Sequence, residues 1–251
     1  MDASEFELHA KIEDVHWWFK ARREIVFELI KKYIPPNQGK LIAEIGCGTG
    51  GNLKFFKRYY QVIGVDTNPE AVKFASERVD CPIFLGDFRE KLFCYWKKLQ
   101  GVILADVLEH IEEDKLFLKD IVYKLSPLSI ILLTVPAHQF LWSNHDIVLS
   151  HKRRYSAMSF RKLWVDLPVS EVFFSPFNSF LLPIVFVWRT LGIQKIKNKY
   201  KSDLTLPFPA MNWALFKIFS LERKWLRFFP LFAGVSYICV LRKNEDIIGA
   251  P

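Results

Sequence analysis

Apolar positions recur with two different periods along the chain. Over residues 5–33 they fall at helical intervals, as Phe6, Leu8, Ile12, Val15, Trp18 and Phe19 and then Ile25, Val26, Leu29 and Ile30, which predicts one helical element. Pro35 and Pro36 stop it. Short, largely apolar runs follow at 41–45, 61–65, 82–85, 101–105 and 129–135, and these read as strands, 101–105 being apolar throughout and so covered on both faces. Helical stretches separate them: 52–59, then 68–78 opened by Asn68-Pro69, then 110–125 with Glu112, Glu113 and Asp114 at its favourable end. Such alternation predicts an α/β fold, a Rossmann-like doubly wound, mostly parallel sheet of seven strands with helices on both faces.

Beyond Pro136 the pattern breaks. Residues 137–155 are rich in His, Trp, Asn and Arg without a clean period, and a loop of that length in a compact domain is usually functional. A short helix is expected at 159–164 and a sixth strand at 169–174. Two apolar or amphipathic helices, 177–193 and 208–229, are joined by a basic stretch at 195–201, and a last strand falls at 235–241. The chain therefore reads as a single domain over 1–251. Residues 1–36 form a helical lid, 40–136 a cofactor-binding core, 137–234 a substrate loop with helical insertions, and 235–243 the last strand.

Charge changes this picture in one respect. Residues 1–150 carry 19 Lys+Arg against 21 Asp+Glu, a net of −2, whereas 151–251 carry 16 against 6, a net of +10. The basic excess belongs to the C-terminal part and suggests an acidic partner there. With 23 Phe and 8 Trp to place, that part suits peripheral membrane contact through 177–229 as well as a core or dimer interface. No membrane span is expected: 172–188 is uncharged, but Pro176, Asn178 and Pro183 interrupt it and it is short of a full crossing. Cys47, Cys81, Cys94 and Cys239 make no C-x-x-C pair and the N-terminus has no apolar signal core. The expected location is cytoplasmic, with the inner face of the cytoplasmic membrane as a second site.

The strongest local signal is Glu44-Ile45-Gly46-Cys47-Gly48-Thr49-Gly50-Gly51, placed after a strand and before a helix. Glycines there allow a sharp bend and close approach of a ligand. Asp66 ends the next strand, where an acid can accept from both hydroxyls of a ribose. Gly46, Gly48 and Gly51 also fit the dinucleotide fingerprint, so an NAD-dependent oxidoreductase or epimerase remains an alternative. Glu44 favours a cationic ligand over a pyrophosphate. Asp87 could accept from an adenine amino group with Phe88 stacked on its ring, and Ala105-Asp106 follows the fourth strand where the cofactor's other end would lie.

Taken together, EIGCGTG at 44–50, VIGVD at 62–66, GDF at 86–88 and ADVLEHI at 105–111 resemble class I S-adenosylmethionine-dependent methyltransferases. Within these they are similar to the group that includes the ubiquinone-biosynthesis O-methyltransferases. HWWFKARR at 16–23, VPAH at 135–138, LWSNHD at 141–146 and HKRRYS at 151–156 resemble a subgroup associated with polysaccharide and glycosyl-transfer functions. The resemblance implies S-adenosyl-L-methionine as cofactor. Its glycine loop (Glu44, Gly46, Cys47, Gly48, Gly50) would hold the methionine part, Asp66 with Thr67 the ribose, and Asp87 with Phe88 the adenine. Ala105 would stand near the reacting end. Arg22 is either solvated or, if its helix covers the cofactor, a partner for the methionine carboxylate.

The expected activity is methyl transfer by in-line displacement to a hydroxyl-bearing small molecule, glycan or lipid-linked intermediate. A base would come from His145, His151 or Asp106. No metal is expected, because no His/Asp pair has compact spacing on a helix and no cysteine joins them. A nucleic-acid partner is not expected, since the basic residues are interleaved with long apolar runs. The remaining alternative is a non-catalytic membrane-docking module. Oligomeric state is open.

Overall fold

Strands form where the apolar runs lie: β1 (Leu41–Ile45), β2 (Gln61–Asp66), β3 (Ile83–Leu85), β4 (Leu99–Ala105) and β5 (Ile130–Pro136), all mutually parallel. The structure, a computed structural model, describes residues 3–190 and 205–245. β6 (Val169–Phe177) and β7 (Ser236–Lys243) complete a seven-stranded sheet of order β3-β2-β1-β4-β5-β7-β6, with β7 antiparallel to both neighbours. The continuous apolar character has a direct cause. In β4, Val102 and Leu104 enter one core while Ile103 and Ala105 enter the other; in β5, Ile131, Leu133 and Val135 oppose Ile130 and Leu132. Neither face can tolerate a polar alternation.

The helices are α1 (Ala3–Ile12), α2 (Trp17–Tyr33), α3 (Gly51–Phe56), α4 (Pro69–Arg78), α5 (Phe88–Lys91), α6 (Asp114–Lys124), α7 (Asn144–Val148), α8 (Ala157–Arg161), α9 (Leu182–Thr190) and α10 (Pro209–Leu226). Asn68 caps α4 by accepting from the N–H groups of Glu70 and Ala71, and Pro69 sits in its first turn as expected.

Several boundaries differ from the sequence expectation, each for a local reason. The single helix over 5–33 is two helices. His16 takes an extended backbone (φ −69°, ψ 132°) and its Nδ1 accepts from Trp18 N at 3.3 Å, starting α2 afresh. His110 does not open α6; it closes a separate 3₁₀ turn, Leu108–His110, and α6 begins at Asp114. The helix expected to reach 59 ends at Phe56. The unpatterned stretch 137–155 contains a 3₁₀ turn, Gln139–Leu141, and α7, whose Ser143 and Asp146 form a capping box. β6 continues through Pro176, tolerated because this is an edge strand. The basic stretch 195–201 and the last residues of the helix expected at 177–193 lie outside the described residues.

α2 packs along α10, with Trp17 edge-on to Phe219 at 6.0 Å and Arg223 paired to Glu24 at 2.6 Å. Asn212 of α10 accepts from Trp17 N and donates to Val15 O, both at 2.9 Å, and so holds the corner between α1 and α2. Glu222, also on α10, accepts from the N–H groups of Asn178, Ser179 and Phe180 at 2.6, 2.6 and 2.8 Å and anchors the chain between β6 and α9. Among the described residues no helix is long and apolar enough to cross a membrane.

Candidate active site

The strand order reverses between β2-β1 and β4, the place where open parallel sheets leave a crevice beyond their carboxyl ends. A cavity of about 1200 Å³ lies there, roofed by α1 and α2 and closed on its far side by the 137–155 segment, α9 and the start of α10.

Its floor is the loop after β1. Gly48 has φ +53° and a Cβ on it would meet no atom within 4 Å, so bare backbone faces the cavity. Gly51 serves the lid instead: a side chain there would collide with the Glu13 carboxyl group. Glu44 is buried and accepts from Asn52 Nδ2 at 2.6 Å through one oxygen, while Oε2 has no hydrogen-bond partner. Burial pushes its carboxyl group up to about 7, opposed by the Asn52 hydrogen bond and by Arg22 and Arg23. Asp66 accepts from the N–H groups of Gly48 and Asn68, each at 2.9 Å; burial nonetheless raises its pKa from its ordinary value.

The lid is fastened to this floor by Glu13. Its carboxylate accepts from Thr49 Oγ1 at 2.6 Å and from Arg78, whose guanidinium also donates to Thr49 O at 3.0 Å. Arg23 donates to Glu13 O at 3.1 Å, and Asp14 pairs with Arg78 and Lys54 at 3.0 and 2.7 Å. From the lid Arg22 reaches down to pair with Asp106, its guanidinium 4.5 Å from the centre of the Trp18 ring and its Nε without a partner. Asp106 has a left-handed backbone (φ 58°), and its second oxygen accepts from Thr134 Oγ1 at 3.0 Å.

The third wall joins the turn after β4 to the 137–155 segment. Asp146 is fully buried and its Oδ1 contacts His151 Nδ1 at 2.9 Å and Arg154 Nε at 2.7 Å; Arg154 also donates to Ala137 O at 3.1 Å. Tyr155 donates to Asp114 at 2.6 Å and binds the segment to α6. Glu109 is fully buried with neither oxygen hydrogen-bonded, and burial raises its pKa well above the usual value, reinforced by Asp106. Burial lowers His110 to about 4. Ligand atoms of Glu109, His110 and His151 lie within 4.8 Å of one another, a grouping that could hold a divalent cation. Sequence spacing does not reveal it, because His151 arrives from a distant loop.

Most of the expected residues meet at this cavity. Glu44, Gly46, Cys47 and Gly48 form its floor, Asp66 and Thr67 one side, and Ala105 and Asp106 another; Arg22 descends from the lid, and His145 and His151 stand on the far wall. Three do not line it. Gly50 caps α3 in a left-handed conformation (φ 83°). Asp87 caps α5 through Arg89 N and pairs with the Arg89 guanidinium at 2.6 Å. Phe88 is buried against Phe117 and Trp96, with ring centres 4.7 and 6.1 Å away. The expected stacking of Phe88 on a ligand ring is thus corrected: its apolar surface completes the core. Sequence reasoning missed Glu13, Asn52 and Arg78. Each looks like an ordinary helical surface residue; its partners, Thr49 and Arg78 for Glu13, Glu44 for Asn52, and Glu13 with Thr49 O for Arg78, are supplied by other parts of the fold.

Comparison with known proteins agrees with the fold. Residues 42–127 match the family model of a methyltransferase domain. No curated protein matches the chain. Among solved structures it is similar to a SAM-dependent methyltransferase from Archaeoglobus fulgidus, at 22% identity over 88% of this chain and 94% of that one, with a TM-score of 0.55. It is also similar to the N-methyltransferase NodS from Bradyrhizobium japonicum, solved in complex with S-adenosyl-L-homocysteine, at 11% identity over 90% and 88% of the two chains and a TM-score of 0.55. The fold is that of SAM-dependent methyltransferases.

Proposed function

We propose that the chain is an S-adenosyl-L-methionine-dependent methyltransferase acting on a hydroxyl-bearing small molecule, glycan or lipid-linked intermediate. The observation that carries this reading is the buried Glu44 carboxylate, with one oxygen unpaired, beside the bare backbone of Gly48. A carboxylate so placed is costly unless a cation joins it. The methionine end of the donor carries an ammonium and a sulfonium, and Arg22, with its Nε unpaired, offers a donor for the carboxylate of the same moiety. Asp66 is placed for a ribose.

When bound, the donor supplies a methyl group that passes to the acceptor oxygen as the carbon–sulfur bond breaks and sulfur keeps the electron pair. The chain's part is to align the partners and exclude water, and the α1–α2 lid suits that task. The acceptor hydroxyl must also lose its proton. Of the three candidate bases, Asp106 is engaged by Arg22 and Thr134. His151 has the arrangement an imidazole base needs, a buried carboxylate on Nδ1, which leaves Nε2 for the acceptor. His145 lines the same wall.

Calorimetry and thermal melting with S-adenosylhomocysteine and with NAD test the reading. Binding and a raised Tm with the former alone support it; the reverse pattern assigns the glycine loop to a dinucleotide and overturns it. Mass spectrometry of lipid and glycan extracts, with and without the gene, identifies the acceptor as a species changed by one methyl group.

A further inference from the structure

α10 is apolar on both sides. One side packs on α2 and the sheet through Leu215, Phe219 and Leu226. The opposite side carries Met211, Ile218, Leu221 and Trp225 at helical spacing, all exposed, with Trp225 57% accessible. The chain after it continues the same surface: Phe228 and Phe229 are 70% and 65% exposed, and Phe232 is fully so. Solvent is a poor match for so contiguous an aromatic face.

Charge says what covers it. Between 205 and 235 the only acidic residue is Glu222, which is buried and occupied by three backbone N–H groups. Lys217, Lys224 and Arg227 border the apolar stripe, Lys217 standing 5.6 Å over the Trp213 ring and Arg227 5.7 Å over Phe228. A second copy related by a two-fold axis would set these cations against their equivalents, whereas a negatively charged lipid surface neutralises them. Basic residues beside an exposed apolar helix face are the pattern of an interfacial helix.

We propose that the outer face of α10, with the Phe228–Phe232 loop, docks on an anionic lipid bilayer. Docking also orients the cavity. Ile184 of α9 and Met211 of α10 are exposed and line the cavity at once, so its mouth borders the docking face. An acceptor held in the bilayer by an apolar tail would present its head group there. This narrowing of the acceptor to a lipid-linked hydroxyl rests on the methyltransferase reading; docking itself does not.

Sedimentation of the full chain with vesicles tests the proposal, using phosphatidylcholine alone and phosphatidylcholine mixed with phosphatidylglycerol. Binding is expected to the mixed vesicles only, with quenching of tryptophan fluorescence by brominated lipid. Replacing Lys217, Lys224 and Arg227 by Gln should weaken it at least about tenfold. Replacing Trp225, Phe228, Phe229 and Phe232 by Ala should abolish it. Both variants should keep the parent's melting shift with S-adenosylhomocysteine, so loss of docking and loss of the cofactor site are told apart. Absence of binding to the mixed vesicles, equal binding to the uncharged ones, or undiminished binding by the aromatic variant overturns the proposal. So does a concentration-dependent dimer that the aromatic variant dissolves, which assigns the face to a second copy.

Discussion

At the residue scale the site is defined by charges whose environments disfavour them. Glu44 has its folded pKa raised from 4.5 to about 7 by burial, so holding it ionised costs folding free energy. The sign follows: stability present at low pH is lost as pH rises through about 7. Glu44→Gln removes that loss. Urea denaturation of the free protein at pH 5 and pH 8 should show the variant gaining on the parent by up to about 3 kcal/mol between them. The same variant should bind S-adenosylhomocysteine at least about tenfold more weakly, because a neutral amide does not attract an ammonium. Equal affinity would remove Glu44 from the cofactor's contacts. His151 poses a different question. His151→Gln should lower kcat about a hundredfold or more, while leaving the affinity for S-adenosylhomocysteine unchanged in calorimetry. A parallel loss of affinity would instead mark His151 as a structural prop of the 137–155 segment.

At the scale of elements, the strands and α4 were legible because their signals are local: unbroken apolar runs, Asn68 as cap and Pro69 behind it. The internal structure of the lid and of the 137–155 segment was not. The break between α1 and α2 depends on a histidine acting as a cap, and α7 is held by Asp146 through partners that come from other turns of the chain. Glu222 illustrates the same limit. It reads as one more helix-surface acid, yet it satisfies three backbone N–H groups in the link from β6 to α9, of which Asn178 is buried. Glu222→Ala removes the acceptor of all three donors and leaves the Asn178 N–H unpaired in the interior, and the unfolding free energy should fall by about 2 kcal/mol. Denaturant titration measures it. A change under about 0.5 kcal/mol would mean that water replaces the carboxylate without penalty.

For the whole molecule the decisive feature is that the lid is tied to both the cofactor floor and α10. Glu13 holds Thr49 and Arg78 on one side, and Asn212 holds the α1–α2 corner on the other. Glu44, Asp66 and Asp106, which line the cavity, could be picked out in the sequence because they stand at the ends of strands; the ties could not, since their partners lie far apart along the chain. Most of α2 is fixed, since Ile25, Val26, Leu29 and Ile30 belong to the main core, but α1 and the first turn of α2 share only a small apolar cluster around Ile12 and Phe19 and are otherwise fastened by polar contacts. That outer part belongs to the low-stability end of the fold and should open locally without unfolding the sheet. Amide hydrogen exchange then makes a specific demand. Without ligand, α1 and the first turn of α2 should exchange faster than β4 and β5. S-adenosylhomocysteine should slow them selectively, because closure is completed from beneath by the ligand. Glu13→Ala should raise exchange in this region alone and weaken ligand binding about tenfold, with β4 and β5 unaffected. Uniform acceleration across the sheet would show instead that lid and core unfold as one cooperative unit, and that Glu13 contributes to global stability rather than to a gate.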